Sequence, residues 1–372
     1  MIPRRAPLVL VALATALASC SPIRLARPLQ PVEEGGRAPR APLELAWERN
    51  VEGGSGPAAP IVTASFIALG TQRGDVAIVE LEDGALEGAS SFGDSVEGRP
   101  ALAPDGRTLF IPLAVGRHGL LAHDLVQGRT TWRADLGPVV NGPAHVGQTL
   151  VVAALDGTLA GLATSDGARR WTTRPDTTAA YRASPVALGA DVVVADDRGR
   201  VARIGAADGV ERWTASIGEP VYSGLAIDGD RIVLATTRGS LVGLSATRGD
   251  ELWRLDLGRG VRVGAPAVAD GRVVVGTTRG DVVAVDAATG AEIWRTRLDG
   301  VVRARPAFGD GVVYVGTYGE RLAGLDLTTG EAVWETPVRG RVKSDLTVAG
   351  DLLIVVSEPR HVLAFRTARA EP

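Results

Sequence analysis

The sequence predicts an all-β protein, an eight-bladed β-propeller built from four-stranded antiparallel blades. Two sequence columns repeat with one period of about 40 residues, and turn-flanked apolar runs fill the space between them. One column consists of tryptophans and the other mostly of prolines, each 11 to 14 residues after a tryptophan position. A chain of 372 residues is long enough for one such ring, because propellers form single units larger than an average domain.

The tryptophan column defines the repeat. It comprises Trp47, Trp132, Trp171, Trp213, Trp253, Trp294 and Trp334. The interval from 47 to 132 is twice as long as the others, and the turn EDGALEG at 82 to 88 puts Gly88 where a tryptophan is missing. An indole at one place in each blade predicts packing against the adjacent blade. An aromatic ligand platform is the weaker interpretation, because the rings are distributed around the circle.

Each unit has the pattern of a meander of strands. Residues 184 to 217 contain four apolar runs separated by GAD, DDRG and AADG. These Gly and Asp clusters are typical of hairpin turns. One such sheet exposes two faces and two edges, and radial repetition into a ring protects them.

The two ends of the chain carry complementary parts of one blade. Residues 344–367 supply three apolar runs and no tryptophan strand, whereas LELAWERN at 43–50 supplies that strand alone. We therefore expect the terminal strands to pair and to close one domain over residues 43–367, with a short tail at 368–372.

The first 42 residues differ from the repeats. Arg4 and Arg5 precede an apolar run at 6–18, which predicts a signal peptide over residues 1–19, too short to span a bilayer. LASC at 17–20 resembles the bacterial lipobox, which implies cleavage before Cys20 and acylation of its thiol. A free cysteine after a plain signal peptide is the alternative. Residues 20–42 are rich in proline and predict an extended tether that buries little surface.

Charge and cysteine content exclude several classes of function. The net charge of −3 lacks the basic excess of nucleic-acid-binding domains, so no nucleic-acid partner is expected. The single cysteine cannot form a disulfide within the chain or a thiolate metal site. The four histidines are scattered over different turns and suggest neither a metal cluster nor a nucleophile with its base. No catalytic, cofactor-binding or metal-binding residues are predicted.

Basic residues accumulate just before the proline column, where the innermost strands begin and should surround one end of the central channel. They are Arg99, Arg182, Arg262, Arg303, Arg305 and Lys343, with Asn141 and Tyr222 at related positions. Arginine is well suited to bidentate contacts with carboxylates. The alternative is a set of solvated loop ends in an arginine-rich protein.

Two units, VVVGTTRGDVVAVDAATGAEIW (273–294) and VYVGTYGERLAGLDLTTGEAVW (313–334), resemble the pyrroloquinoline-quinone (PQQ)-like repeat. With the lipobox and the tether, the chain is most similar to the BamB family of the outer-membrane β-barrel assembly machinery. The resemblance implies a non-enzymatic scaffold without a cofactor, anchored through Cys20 in the outer membrane with its propeller facing the periplasm. It also implies a protein partner, the POTRA domains of the barrel-forming subunit. A PQQ-like quinoprotein or small-molecule-binding propeller and a structural surface lipoprotein are the alternatives.

The same resemblance suggests where a partner binds. The join between the third and fourth blades, TTRPDTTAAYRAS (172–184), predicts an exposed Tyr181 beside Arg182, and the next join contains Glu219 and Tyr222. Tyrosine and arginine are common anchors of interfaces. The family's loop is longer and carries a leucine-rich stretch that is missing here. Tolerated loop variation is therefore the alternative interpretation of this join.

Overall fold

The computed structural model describes residues 23–30, 38–54, 59–359 and 361–368. Over these residues the chain forms eight antiparallel sheets of four strands each, arranged as a propeller. This confirms the predicted fold class. The predicted signal peptide, Cys20 and residues 369–372 lie outside the described residues. In the described part of the chain, no helix has the length and apolar character needed to cross a membrane.

The blades follow one another along the chain. Blade 1 contains β2 (Ile61–Val62), β3 (Phe66–Gly70), β4 (Asp75–Glu80) and β5 (Leu86–Ser91), and blade 2 contains β6 (Ala101–Leu102), β7 (Thr108–Pro112), β8 (His118–Asp124) and β9 (Arg129–Asp135). Blade 3 contains β10 (Ala144–Val146), β11 (Thr149–Ala153), β12 (Leu159–Ala163) and β13 (Arg169–Thr173), and blade 4 contains β14 (Val186–Leu188), β15 (Asp191–Ala195), β16 (Arg200–Gly205) and β17 (Glu211–Ser216).

The second half continues in the same way. Blade 5 contains β18 (Ala226–Asp228), β19 (Arg231–Ala235), β20 (Ser240–Ser245) and β21 (Glu251–Asp256), and blade 6 contains β22 (Ala267–Ala269), β23 (Arg272–Gly276), β24 (Asp281–Asp286) and β25 (Glu292–Arg297). Blade 7 contains β26 (Ala307–Phe308), β27 (Val312–Gly316), β28 (Arg321–Asp326) and β29 (Ala332–Pro337). Blade 8 combines β30 (Thr347–Ala349), β31 (Leu352–Ser357) and β32 (His361–Thr367) with β1 (Leu43–Asn50).

Blade 6 shows how the sequence sets the local structure. The valines of β23 and β24 are buried, because both faces of these middle strands are covered by neighbouring blades. The turn into β25 is closed by Asp286, whose Oδ1 accepts the backbone N–H groups of Ala288 and Thr289. Gly290 then adopts a φ of 71°, a conformation that glycine adopts at little steric cost.

The ring is closed by the two ends of the chain, as the sequence predicts. Strand β1 pairs antiparallel with β32 from Leu43 opposite Thr367 to Asn50 opposite His361, with an irregularity between Leu45 and Trp47. Because β1 is the outermost strand of blade 8, the first strand of the domain completes the sheet formed by the last three.

Six tryptophans join neighbouring blades by the same two contacts. The indole Nε1–H of Trp253 donates to the Ala287 carbonyl of blade 6 at 3.1 Å. Its ring lies against Gly290, where an added Cβ would be 2.5 Å from the indole carbons. Equivalent hydrogen bonds are made by Trp47, Trp132, Trp171, Trp213 and Trp294. The predicted role of the column in packing between blades therefore agrees with the structure.

The seventh tryptophan has a different environment, because blade 8 has no turn between β32 and β1. Trp334 instead packs edge-on against Tyr314 and Phe365, with ring centroids 6.1 and 5.9 Å away. The chain just before β1 is fixed nearby, since the Pro39 carbonyl accepts a 3.0 Å hydrogen bond from the Tyr314 hydroxyl.

The junction between blades 1 and 2 lacks a tryptophan, and residues 23–30 pack into it. Ile23, Leu25 and Leu29 are each no more than 3% exposed and belong to the core cluster shared by these blades. The Leu25 N–H donates to the Leu125 carbonyl at 2.7 Å. Leu125 precedes its turn glycine by three residues, as Ala287 does, so a backbone N–H replaces the indole N–H. The expectation that this segment buries little surface is wrong for residues 23–30.

Candidate functional site

The linkers between blades converge at one end of the central channel and form a funnel there. Its cavity has a volume of about 1250 Å³. About half of the residues that line it are small (glycine, alanine, serine or proline), and the others are aliphatic, polar, aromatic or charged. Five of the six predicted basic residues line it, namely Arg99, Arg182, Arg303, Arg305 and Lys343, and Asn141 and Tyr222 line it as well. Glu97 and Asp345 are the acidic residues of this lining, so the funnel is positively charged in a chain of negative net charge.

Arg262 does not belong to the funnel, and its prediction as a channel residue is wrong. Its N–H donates to Thr278 Oγ1 and its carbonyl accepts the Thr278 N–H, both at 3.0 Å. The Arg341 carbonyl makes the equivalent bond with the N–H of Glu358. Both arginines thus immediately precede a buried valine, Val263 or Val342, and neither arginine lines the funnel.

Arg305 reaches across the funnel. Its backbone N–H donates to Asp345 Oδ1 at 2.8 Å, and its Nη2 donates to the carbonyl of Leu225, in the linker into blade 5, at 3.3 Å. Gly224 makes this possible, because a Cβ at that position would lie 2.5 Å from Arg305 Nη2. The Nε of Arg305 is buried and has no hydrogen-bond acceptor among the described residues.

The other cations differ in how far they are neutralised. Lys343 Nζ lies 2.6 Å from Glu358 Oε2 and 5.8 Å from the centroid of the Tyr318 ring. Arg99 remains accessible to solvent, yet desolvation within the funnel lowers the pKa of its guanidinium, against the opposing attraction of Asp345. In the described part of the chain, Arg99 and Arg303 have no hydrogen bond or ion pair to a carboxylate.

Asn141 is buried beside the funnel and holds two backbone segments together. Its Nδ2 donates to the Ala153 carbonyl at 2.9 Å and to the Tyr181 carbonyl at 3.0 Å. Since both amide hydrogens are used, this side chain braces the linker between blades 3 and 4.

Tyr181 is buried, so the predicted exposed anchor at this position is wrong. Only 2% of its surface is accessible, and it packs with the core between blades 3 and 4. Burial raises the pKa of its hydroxyl to about 12. Tyr181 stands four residues before Pro185, where other linkers have a buried valine: Val96, Val139 and Val302 stand four residues before Pro100, Pro143 and Pro306. The valines at this position in other linkers are the sequence signal that the Tyr181 side chain is buried.

The neighbouring rim residues are accessible. The Arg182 guanidinium lies over the Tyr222 ring at 5.1 Å, and Tyr222 is 43% exposed. Glu219 is engaged within the protein, because its carboxylate accepts hydrogen bonds from Thr236 and Ser240 and pairs with Arg254 at 3.3 Å. The Arg182–Tyr222 pair is therefore the part of the predicted partner surface that is free to make contacts.

The funnel has the chemistry of an anion-binding surface. Among the described residues, no group of three or more His, Cys, Asp or Glu side chains could hold a metal ion.

A family model described as outer membrane protein assembly factor BamB matches residues 72–223, 197–280 and 278–371. The chain belongs to this family. No curated protein sequence matches the chain significantly. The family assignment agrees with the resemblance of the repeats and with the eight-bladed ring of this BamB-family protein.

Solved structures share the fold at low identity. BamB from Moraxella catarrhalis superposes with a TM-score of 0.74 at 20% identity, covering 87% of this chain and 99% of that one. The computationally designed Ika8 protein gives 0.73 at 16% identity, with the same coverage. The quinohemoprotein alcohol dehydrogenase ADHIIG from Pseudomonas putida HK5 gives 0.74 at 13% identity, covering 93% of this chain and 80% of that one. At these identities the likeness shows the fold alone.

Proposed function

We propose that the chain is a non-catalytic, lipid-anchored scaffold that binds a protein partner during outer-membrane β-barrel assembly. The observation that carries the proposal is the BamB family match from residue 72 to residue 371. The partner proposed is a POTRA domain of the barrel-forming subunit. The anchor is Cys20, which places the propeller on the periplasmic side of the outer membrane.

The rim of the funnel supports this role. Arg182, in the linker before blade 4, and Tyr222, in the linker after it, form an exposed cation–π pair. These residue types contribute strongly to interfaces. The linkers that carry them are braced from below by Asn141 and Glu219. A braced surface loses little conformational entropy on binding.

Affinity purification of the full-length protein from its own cells tests the partner. We expect the barrel-forming subunit to be recovered with the wild type and to fall about tenfold with Arg182→Ala and Tyr222→Ala together, since each tenfold loss requires only about 1.4 kcal/mol. Tyr181 is left unchanged because its burial would confound the result. Arg262→Ala is the matched control, being exposed but outside the funnel. Recovery of no assembly subunit, or equal recovery with the double variant, contradicts the proposal.

The anchor is tested separately. Cys20→Ser should move the protein from the membrane to the soluble fraction and abolish labelling by a fatty-acid probe. Continued membrane association of the unlabelled variant would show that another attachment is responsible.

A further inference from the structure

We propose that the funnel is a receptor for an acidic polypeptide segment, whose side-chain carboxylates contact the basic residues at the channel mouth. The proposal rests on the proposed protein-binding function and deepens it by giving the chemistry of one ligand.

The placement of the cations favours a ligand with several negative groups. Arg99 belongs to the linker into blade 2, Arg182 to the linker into blade 4, and Arg303 to the linker into blade 7. None of the three pairs with a carboxylate among the described residues. Because they come from different sides of the ring, a single carboxylate satisfies only one of them, whereas a chain of acidic residues can contact several.

The geometry of Arg305 adds a donor inside the funnel. Its Nη2 is held by the Leu225 carbonyl at 3.3 Å, and its buried Nε, which lies 4.0 Å from Asp345 Oδ2, has no hydrogen-bond acceptor among the described residues. A guanidinium fixed at one end donates to an incoming carboxylate with less loss of side-chain entropy than a free one. The desolvation that lowers the pKa of Arg99 also strengthens its attraction for an anion.

The shape and lining favour a peptide over a small molecule. Pockets for small ligands measure about 300–1,000 Å³ and are lined mainly by apolar and aromatic side chains. This funnel is larger, at about 1250 Å³, and about half of the residues that line it are glycine, alanine, serine or proline. Small residues around a basic centre leave room for an extended chain. The funnel is also continuous with the Arg182–Tyr222 rim proposed to bind a protein.

Fluorescence anisotropy with a fluorescein-labelled hexaglutamate peptide and the full-length protein in detergent tests this inference. We expect saturable binding that weakens with salt, and no binding of the matched hexaglutamine peptide. Arg99→Gln with Arg303→Gln should raise Kd at least about tenfold, while Arg262→Gln leaves it unchanged, because Arg262 lies outside the funnel.

Each alternative gives a distinct result. Equal binding of hexaglutamine, or an equal effect of Arg262→Gln, would overturn the proposal. Displacement of the peptide by citrate at matched carboxylate concentration would identify a small polycarboxylate as the ligand instead. Unchanged melting temperatures of the variants are required, to show that they are folded. Peptide binding that survives while the barrel-forming subunit is not recovered would refute the assembly role and keep the acidic ligand.

Discussion

The junction between blades 5 and 6 and the junction between blades 1 and 2 perform the same task with different parts of the chain. In the first, the Trp253 indole donates to Ala287 and covers the next turn. In the second, position 88 is glycine, and the backbone of Leu25 donates to Leu125. At each of these junctions the ring has an apolar cover and one N–H donor. A separate segment of the chain supplies both where the indole is missing.

The two kinds of junction differ in how they can fail. Removing an indole leaves a cavity inside the ring, because its strand remains paired with the rest of the blade. The segment at residues 23–30 is not part of any sheet, so it can leave its groove while the blades stay closed.

The largest effect is expected from deletion of residues 43–50. Strand β1 provides one quarter of blade 8 and carries Trp47, which covers the turn of blade 1. We expect the melting temperature to fall by about 10 °C or more, because loss of a whole strand costs several kcal/mol and domains of 150–250 residues lose about 2–4 °C for each kcal/mol. Differential scanning calorimetry measures it, with deletion of residues 369–372 as control. A melting temperature within error of the wild type would refute closure by the termini as a source of stability.

Trp253→Ala should destabilise the protein by about 3–5 kcal/mol, the usual loss for a large aromatic residue in a core. Trp253 is 8% exposed, and its contacts cannot be replaced by water. Trp253→Phe retains most of the apolar cover and loses the hydrogen bond, so about 1 kcal/mol is expected. Urea unfolding monitored by circular dichroism gives both values. Similar losses for Ala and Phe would mean that the hydrogen bond, not the cover, dominates.

Ile23→Ala with Leu25→Ala should cost less than Trp253→Ala, about 1–3 kcal/mol. Each truncation alone removes buried apolar surface, but the total loss is limited by the free energy of docking the segment. Limited proteolysis should show faster cleavage within residues 23–30 while the ring stays intact. Arg24→Ala is the control, because Arg24 is exposed.

Gly88→Trp provides the opposite test of the same junction. An indole at this position competes with the segment for the Leu125 carbonyl, so residues 23–30 should become sensitive to protease without loss of ring stability. Continued resistance of residues 23–30 to protease would contradict the idea that the segment and an indole occupy the same place.

The smallest effect concerns pH. Burial lowers the pKa of His123, against smaller opposing contributions from the Ile23 backbone and Asp124. A lowered pKa in the folded state means that the unfolded state binds the proton more readily, so stability should fall as pH drops below about 6.5. His123→Gln should reduce this slope in urea titrations between pH 7.5 and pH 5.5. Since His123 lies beside the segment, chains lacking residues 21–30 should also show a reduced slope; an unchanged slope would contradict burial by the segment.

Much of this architecture was predictable, because it depends on residues repeated along the chain. The tryptophan column and the incomplete blades at the two ends predicted the ring and its closure. The segment at residues 23–30 was missed, because its proline-rich composition masked the alternation of Ile23 and Leu25, and because its binding groove is formed by residues far along the chain. At the funnel, the proline column located Arg99, Arg303 and Arg305 correctly in the lining.

The errors at the funnel have local causes. Tyr181 belongs to a join that the sequence predicts to be an exposed loop, although it aligns with the buried valines of the other linkers. Arg262 was misplaced because its linker has a different register, which is visible only from its hydrogen bonds with Thr278. Whether a linker side chain faces the channel depends on the register of the linker against the neighbouring strand, and the amino-acid composition does not reveal that register.

The pairing of β1 with β32 also has a consequence for biogenesis. Leu43 lies opposite Thr367. Strand β1, which is synthesised first, therefore cannot pair until strand β32 has been synthesised. Until synthesis reaches residue 367, β1 lacks its partner, and the edge of the growing blade array stays open to proteases and to other chains. The contacts that complete the ring have nearly the greatest sequence separation this chain allows, which predicts slow final maturation. Nascent chains that stop a few dozen residues early should be the aggregation-prone species of this protein.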